Sequence, residues 1–156
     1  MRIIRTVLLS LICQTSMCEE KPKPSAPQLP DVTIIVKEFG MFDELEPNKI
    51  LFTPTTSIPF VVGQAYGWRF KVTTKKKSVI VRQDYEAPEP LKGPAEEGET
   101  ISKDRKVCTT TDELNVRGGY IFTAWSVAKD DPEGEYKARI YIDDKLQAEF
   151  KFTVKH

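Results

Sequence analysis

The sequence predicts an all-β fold, an antiparallel sandwich of about seven to nine short strands. Apolar and polar residues alternate in many short segments, which are separated by breaks marked by Pro and Gly. No stretch has an apolar stripe at helical spacing that is long enough to predict a helix. With 156 residues, the chain has room for one ordinary domain.

The strands expected before the C-terminal region are short and rich in β-branched and aromatic residues. Around Trp68, for example, apolar residues at every second position alternate with Arg69 and Lys71. The predicted strand segments are 32–37, 49–53, 58–62, 68–72, 78–82, 106–111 and 120–127.

The C-terminal region predicts a hairpin of two half-buried strands, because apolar residues alternate from Tyr136 to Ile142 and again from Leu146 to Val154. A two-residue loop would place apolar residues opposite polar ones, so matching the faces requires a three-residue loop over 143–145. The expected pairs are Ile142 with Leu146, Ile140 with Ala148 and Ala138 with Phe150.

Residues 1–18 have the composition of a secretory signal segment. Arg2 and Arg5 lie beside the apolar run 6–13, which small and polar residues follow. This run is far shorter than the roughly 20 residues of a membrane-spanning helix. We therefore expect export with removal of the segment rather than a permanent transmembrane anchor.

Cys18 is the candidate lipidation site of a bacterial lipoprotein signal, although Met17 is bulkier than the residue usual before such a cysteine. Residues 19–30 are Pro-rich and polar, which is typical of a stiff, solvated tether, and residues 31–156 form the sandwich domain. This predicts a periplasmic, outer-membrane or cell-surface lipoprotein. The alternatives are plain secretion after cleavage near Ser16 or Cys18, and a cytoplasmic protein with a chance apolar start.

The charge balance argues against a nucleic-acid partner. The chain has 23 basic and 23 acidic residues, and loss of residues 1–18 removes two basic residues and no acidic one, which leaves a net charge of −2. No basic field remains that would attract phosphate backbones.

Several short motifs resemble known bacterial domains. The segments 131–136 and 150–154 resemble the closing strands of immunoglobulin-like sandwiches common in bacterial envelope proteins. Phe39-Gly40, the segment 58–68, the stretch 88–94 and the aromatic strand through Trp125 resemble a bacterial family of exported domains whose function is unassigned. The resemblance, over roughly 32–154, implies an immunoglobulin-like β-sandwich and export, and it supplies no activity and no catalytic residue.

No residue pattern predicts catalysis, a metal site or a cofactor. The one histidine, His156, is the last residue and is expected to be an exposed tail. Cys108 lies in an alternating segment without a neighbouring imidazole, which predicts a packed, inert thiol; an exposed thiol forming an intermolecular disulfide is the alternative.

Carboxylates cluster at 130–135 and at 143–144, but a strand of about 25 Å separates the clusters, too far for one metal or an acid/base pair. Each cluster is expected to be a turn. A weak calcium site at Asp130, Asp131 and Glu133 is the alternative for the first cluster.

The candidate ligand-contact residues are Lys75, Lys76, Lys77, Trp68 and Trp125. The lysines lie between two strands and are expected to cap a hairpin, where they would be solvated or would contact anionic lipid headgroups. The tryptophans would either form an aromatic platform or pack in the core, as their alternation with polar neighbours favours.

The charged segment 86–105 is the candidate functional surface, with disorder or a simple crossover as its alternatives. The whole pattern favours a non-catalytic envelope or secreted binding module that engages a protein or glycan. The second hypothesis is a carbohydrate- or calcium-binding accessory domain of a secreted system, and a hydrolase ranks third.

Overall fold

The computed structural model describes residues 31–46 and 49–156 of the chain. The predicted signal segment, Cys18 and the linker lie outside these residues. The regular elements throughout the described ranges are β-strands, which confirms the all-β prediction. Within those ranges, none of the structure forms a helix of the length and apolarity needed to cross a membrane.

Ten strands make up the described part of the chain, one more than the upper end of the predicted range. Nine of them overlap segments predicted from the sequence, and the tenth, β6, lies within the charged segment 86–105. The strands are β1 Val32–Glu46, β2 Lys49–Pro54, β3 Ser57–Pro59, β4 Ala65–Thr74, β5 Ser78–Glu86, β6 Glu99–Ile101, β7 Val107–Asn115, β8 Tyr120–Ser126, β9 Gly134–Ile142 and β10 Lys145–Lys155.

The strands form two sheets that pack into a sandwich. The first sheet has the order β2-β1-β4-β8, and the second has the order β3-β10-β9-β5-β7-β6. The pairs are antiparallel except for β3, which runs parallel to β10. Tyr136, at the start of β9, donates its hydroxyl hydrogen to the carbonyl of Pro132, an arrangement like the tyrosine corner of immunoglobulin-like sandwiches.

The core fills the space between the sheets with the inward residues of each strand. Phe70, Ile58 and Ile140 are fully buried, and burial of each such side chain stabilises the fold by about 1.5–3 kcal/mol. Trp68 is also fully buried, and its indole Nε1 donates a hydrogen bond of 3.0 Å to Oε1 of Gln83 on the opposite sheet. This bond satisfies the polar atom that burial of a tryptophan would otherwise leave unpaired.

The hairpin between β9 and β10 has a shorter loop than the sequence predicted. Asp143 and Asp144 form a two-residue turn in which both φ angles are positive, at 50° and 56°, and Lys145 pairs with Ile142. Two consecutive residues with positive φ angles are the signature of a type I′ turn. The three-residue loop was therefore wrong, and so was the pairing of Ile142 with Leu146.

The inner pairs of the hairpin were nevertheless correct. The register shifts between Leu146 and Ala148, so Gln147 is an extra residue on β10. This bulge places the next apolar residues back on the inward face. Ile140 pairs with Ala148 and Ala138 pairs with Phe150, as predicted.

Lys75, Lys76 and Lys77 do not cap a hairpin, because β4 belongs to the first sheet and β5 to the second. The three lysines instead cross from one sheet to the other. Lys76 Nζ lies 3.0 Å from Oδ2 of Asp31, so we call this end of the sandwich the Asp31 end. The opposite end, at which β5 finishes, is called the Glu86 end and carries the loops 60–64, 87–98 and 127–133.

Candidate binding cleft

A cleft of about 280 Å³ opens at the Glu86 end, lined by side chains of both sheets. Its walls come from β4 and β8 on one side and from β5, β6 and β7 on the other, and residues of the loops 87–98 and 127–133 complete the lining. The lining residues are Tyr66, Gln83, Tyr85, Leu91, Lys92, Pro94, Glu96, Glu99, Ile101, Cys108, Thr110, Trp125, Ser126 and Asp131.

The segment 87–106 builds one side of this cleft. Backbone hydrogen bonds tie its two legs together, from the Ala87 nitrogen to the Lys106 oxygen at 2.8 Å and from the Leu91 nitrogen to the Arg105 oxygen at 2.7 Å. The Arg105 guanidinium donates in return from Nε to the Leu91 oxygen at 2.8 Å. This stretch is therefore a folded wall, and not the simple crossover that was the alternative interpretation of the sequence.

Three aromatic rings form the inner wall. Tyr66 and Trp125 are paired residues of β4 and β8, and their ring centroids lie 5.9 Å apart. Tyr85, on the facing sheet, lies 5.2 Å from Trp125 by the same measure. The hydroxyl oxygens of Tyr66 and Tyr85 are 2.6 Å apart, so one phenol donates to the other across the sandwich.

The polar groups of this wall are neutral near neutral pH. Burial raises the pKa of Tyr66 to about 12, and burial followed by the proximity of Tyr66 raises the pKa of Tyr85 well above its ordinary value. Burial also raises the pKa of the Cys108 thiol to about 11, and the nearby carboxylates of Glu99 and Glu96 add to this effect. A protonated thiol is a poor nucleophile.

Three carboxylates, Glu96, Glu99 and Asp131, line the cleft, against the single ammonium group of Lys92. Oδ2 of Asp131 accepts a hydrogen bond of 2.8 Å from the Ala128 nitrogen. Burial nevertheless raises the pKa of Asp131, with a smaller contribution from the neighbouring charge of Asp130. The charge of Asp131 in turn contributes to the raised pKa values of Tyr66 and Tyr85. The loop 127–133, here called the acidic loop, is therefore coupled electrostatically to the aromatic wall.

A family model described as the PM0630 beta sandwich domain matches residues 37–155, which include nearly every strand of both sheets. The chain belongs to the PM0630 beta sandwich domain family. This confirms the predicted membership of an immunoglobulin-like β-sandwich family.

One solved structure supports the same architecture. An immunoglobulin-like protein (PA1606) from Pseudomonas aeruginosa is similar with a TM-score of 0.56 and 20% sequence identity, over 79% of this chain and 95% of that chain. At this identity the likeness shows the fold alone. The alkylpurine DNA glycosylase AlkC of Pseudomonas fluorescens, bound to DNA containing an abasic site analog, gives a TM-score of 0.41 at 10% identity, over 81% of this chain and 31% of that chain. No curated protein matches the chain.

The candidate ligand-contact residues lie in three different places in this member of the PM0630 family. Trp125 lines the cleft, whereas Trp68 is fully buried in the core, the second of the two interpretations given for it. The exposed lysines Lys75, Lys76 and Lys77 lie at the Asp31 end, far from the cleft. The structure therefore does not bring the predicted set together.

The acidic residues Asp130, Asp131 and Glu133, the alternative calcium site, do not point to a common position. Glu133 is held by the last residue, with Oε1 at 2.9 Å from Nδ1 of His156, while Asp131 turns to the Ala128 nitrogen. Across residues 31–46 and 49–156 the side chains form no cluster of three or more groups suited to a metal ion. His156 is exposed, as expected, but it also stacks on Phe60 with 4.9 Å between ring centroids.

Sequence reasoning missed Gln83 and Tyr85 as cleft residues. They continue the inward positions of β5 after Val79 and Val81, so the inner face changes from aliphatic to polar as the strand approaches the Glu86 end. This change from aliphatic to polar residues on one face of β5 is the sequence signal that could have identified them as cleft residues. Cys108 was predicted as a packed thiol. In the structure it is partly buried and lies in the cleft wall.

Proposed function

We propose that this chain is a non-catalytic binding module of the bacterial cell envelope, lipid-tethered through Cys18, that engages its partner through the cleft at the Glu86 end. The observation that carries the proposal is the position of the cleft. It lies at the end of the sandwich opposite Asp31, the residue that follows the Pro-rich linker.

The length of the strands sets the distance between the Asp31 end and the cleft. β4 runs from Ala65 at the Glu86 end to Thr74 beside Asp31, and ten residues at about 3.3 Å each give roughly 30 Å. A tether joined at Asp31 would therefore attach at the end of the domain far from the cleft. Exposed Lys92, Pro94 and Glu96 on the rim leave its mouth accessible to a partner.

The chemistry of the cleft supports binding rather than catalysis. The Cys108 thiol is protonated near neutral pH because its pKa is about 11. The chain has one histidine, and its Nδ1 lies against Glu133 rather than in the cleft, so it offers Cys108 no imidazole base. Rigid aromatic rings with polar groups around them are the usual composition of a recognition site.

Site-directed photo-cross-linking in the native host tests this proposal. A photoreactive amino acid at Lys92, on the cleft rim, is expected to capture a discrete partner, whereas the matched control at Lys75, at the Asp31 end, captures none. Equal capture from both positions, or none from Lys92, would contradict the proposed binding face.

The tether needs its own measurement, which is the intact mass of the protein from the membrane fraction. We expect an N-terminal Cys18 carrying acyl mass. A soluble product without lipid would replace the tether by plain secretion, and an intact Met1 would overturn the export prediction.

The second candidate is the carbohydrate-binding accessory domain, and the partly exposed rings of Tyr85 and Trp125 in the cleft are the observation that favours it. Sugar rings stack on such side chains, and carboxylates accept hydrogen bonds from sugar hydroxyls. Binding of a neutral glycan that is lost in Trp125→Ala would favour this function over a protein partner.

A further inference from the structure

We infer that the cleft receives a positively charged side chain, a lysine or an arginine, from a protein partner. The inference rests on the proposed binding function and names the chemistry of the partner. Four features of the Glu86 end carry it: the volume of the cleft, its aromatic wall, its excess of carboxylates and an exposed apolar loop beside it.

The volume admits a single side chain and excludes a large ligand. Pockets for drug-sized ligands and cofactors span roughly 300–1,000 Å³, and this cleft of about 280 Å³ falls just below that range. One extended side chain with its charged head fits such a space, whereas a dinucleotide or a long glycan does not.

The aromatic wall suits a cation. Tyr85 and Trp125 are partly exposed, with 5.2 Å between their ring centroids, and both lie against the fully buried Tyr66. An ammonium or guanidinium group is attracted to such rings, most strongly to a tryptophan and where water is excluded. The mutual hydrogen bond between the two phenols holds their rings in place without using the partner.

The polar groups of the cleft divide into those already paired and those with capacity left. Gln83 is occupied on both sides, since its Oε1 accepts from Trp68 and its Nε2 donates to Asp112 at 3.2 Å. The carboxylates of Glu99 and Asp131 each accept one backbone hydrogen bond, from Glu96 at 2.9 Å and from Ala128 at 2.8 Å. A carboxylate accepts about four hydrogen bonds, so the remaining capacity calls for a donor.

The excess of negative charge selects a charged donor over a neutral one. Three carboxylates face one ammonium group in the lining, and two of them, Glu99 and Glu96, add to the effect of burial in raising the pKa of Cys108. An incoming cation would offset this repulsion. A sugar hydroxyl would supply a hydrogen bond but would leave the charge uncompensated.

The apolar loop beside the cleft points to a polypeptide. Val61 and Val62 are 56% and 62% exposed, and their loop is joined to the acidic loop by hydrogen bonds from Gly63 nitrogen to Val127 oxygen at 2.8 Å and from Val127 nitrogen to Gln64 oxygen at 3.0 Å. A segment with a basic residue flanked by apolar residues would cover the valines while its cation enters the cleft.

Peptide titration of the full-length mature protein tests the inference. The probes are a hexapeptide with one central lysine among leucines and serines, its arginine counterpart and a norleucine counterpart that keeps the alkyl chain without the charge. The readout is the fluorescence of Trp125, measured in a Trp68→Phe background if the buried tryptophan obscures it, together with amide NMR shifts of Cys108 and Thr110.

We expect the lysine or arginine peptide to bind at least tenfold more tightly than the norleucine peptide, with affinity that falls as salt rises. Asp131→Asn and the double variant E96Q/E99Q are expected to remove this preference. The matched controls Asp130→Asn and Glu97→Gln, which change neighbouring carboxylates outside the cleft lining, are expected to retain it.

Equal binding of the charged and neutral peptides, or a preference that survives E96Q/E99Q together with Asp131→Asn, would overturn the inference. So would a free ammonium ion such as tetramethylammonium binding as tightly as the peptide, because the apolar loop would then contribute nothing. If the rim position Lys92 captures a partner in cells while the basic peptides fail, the binding function stands and the cationic ligand is wrong. If the peptides bind while Lys92 captures nothing, the proposed function fails on its own.

Discussion

The two tryptophans of the sandwich show how its centre differs from its Glu86 end. Trp68 and Trp125 lie on neighbouring strands of the first sheet, Trp68 opposite Thr123 and Trp125 opposite Tyr66. Trp68 is fully buried with its indole nitrogen paired to Gln83, whereas Trp125 is partly exposed and lines the cleft. The same inward pattern therefore gives core packing where the sheets are closed and the lining of an open cleft where they separate.

The largest effect expected from this contrast is on stability. Trp68→Ala should lower the free energy of unfolding by about 3–5 kcal/mol, because it leaves a cavity in the closed centre. Trp125→Ala should cost roughly 1–2 kcal/mol, since its ring is already partly in water. Urea denaturation followed by circular dichroism measures both. Equal losses would show that the two ends are packed alike.

The buried hydrogen bond at the centre gives the next effect. Gln83→Met keeps the size of the side chain but leaves the indole hydrogen of Trp68 and the carboxylate of Asp112 without this partner. We expect a loss of about 1–3 kcal/mol in the free energy of unfolding. Gln147→Met, at the bulge of β10, is the control and should change stability much less. A neutral result for Gln83→Met would mean that water replaces the amide.

Thr123, the register partner of Trp68, offers a gain of stability. Within the described ranges its Oγ1 is buried without a hydrogen-bond partner, which is a cost in a closed core. Thr123→Val replaces the hydroxyl by a methyl of similar size and should raise the free energy of unfolding by roughly 1 kcal/mol. Thr111→Val, on the exposed face of β7, is the control. Loss of stability would show that the hydroxyl is bonded in solution.

The smallest effect concerns the acidic side of the cleft and depends on pH. Burial raises the pKa of Asp131 in the folded state above its value in the unfolded state. The contribution of Asp131 to the free energy of unfolding is therefore greatest at low pH, and it declines as pH rises through the folded-state pKa. Asp131→Asn keeps an acceptor for the Ala128 nitrogen and removes the charge. The variant should be slightly more stable than the wild type at neutral pH, and this advantage should vanish below the ordinary Asp pKa of about 3.9. Thermal melts at several pH values measure it.

Sequence patterns predicted the central sandwich well because burial imposes period-two alternation on strands that cross the core. Nine strand positions and the inner pairs of the β9–β10 hairpin followed from that alternation. The loop of this hairpin did not, because Gln147 forms a bulge, and a bulge changes loop length without changing which residues face inward. The short strand β6 escaped prediction since its polar residues carry no alternation.

The cleft was predicted only in outline. The charged segment 86–105 was identified as a candidate functional surface, and its residues do form one wall. Trp125 was named beside Trp68, yet no local pattern separates a tryptophan in a closed core from one at an open end. The open end is formed by residues such as Tyr85 and Cys108, which are far apart in the sequence and become neighbours only when β5 pairs with β7.

The most direct test of the central claim, that the Glu86 end holds a cleft made electronegative by its carboxylates, is the pH dependence of Cys108 alkylation. The extent of reaction with iodoacetamide is measured on the tryptic peptide 107–117, which separates this thiol from Cys13 and Cys18. We expect an apparent pKa of about 11 for the Cys108 thiol, lowered in Glu99→Gln and unchanged in Glu97→Gln. An ordinary thiol pKa of about 8.5 that is the same in the wild type and in both variants would contradict an electronegative cleft.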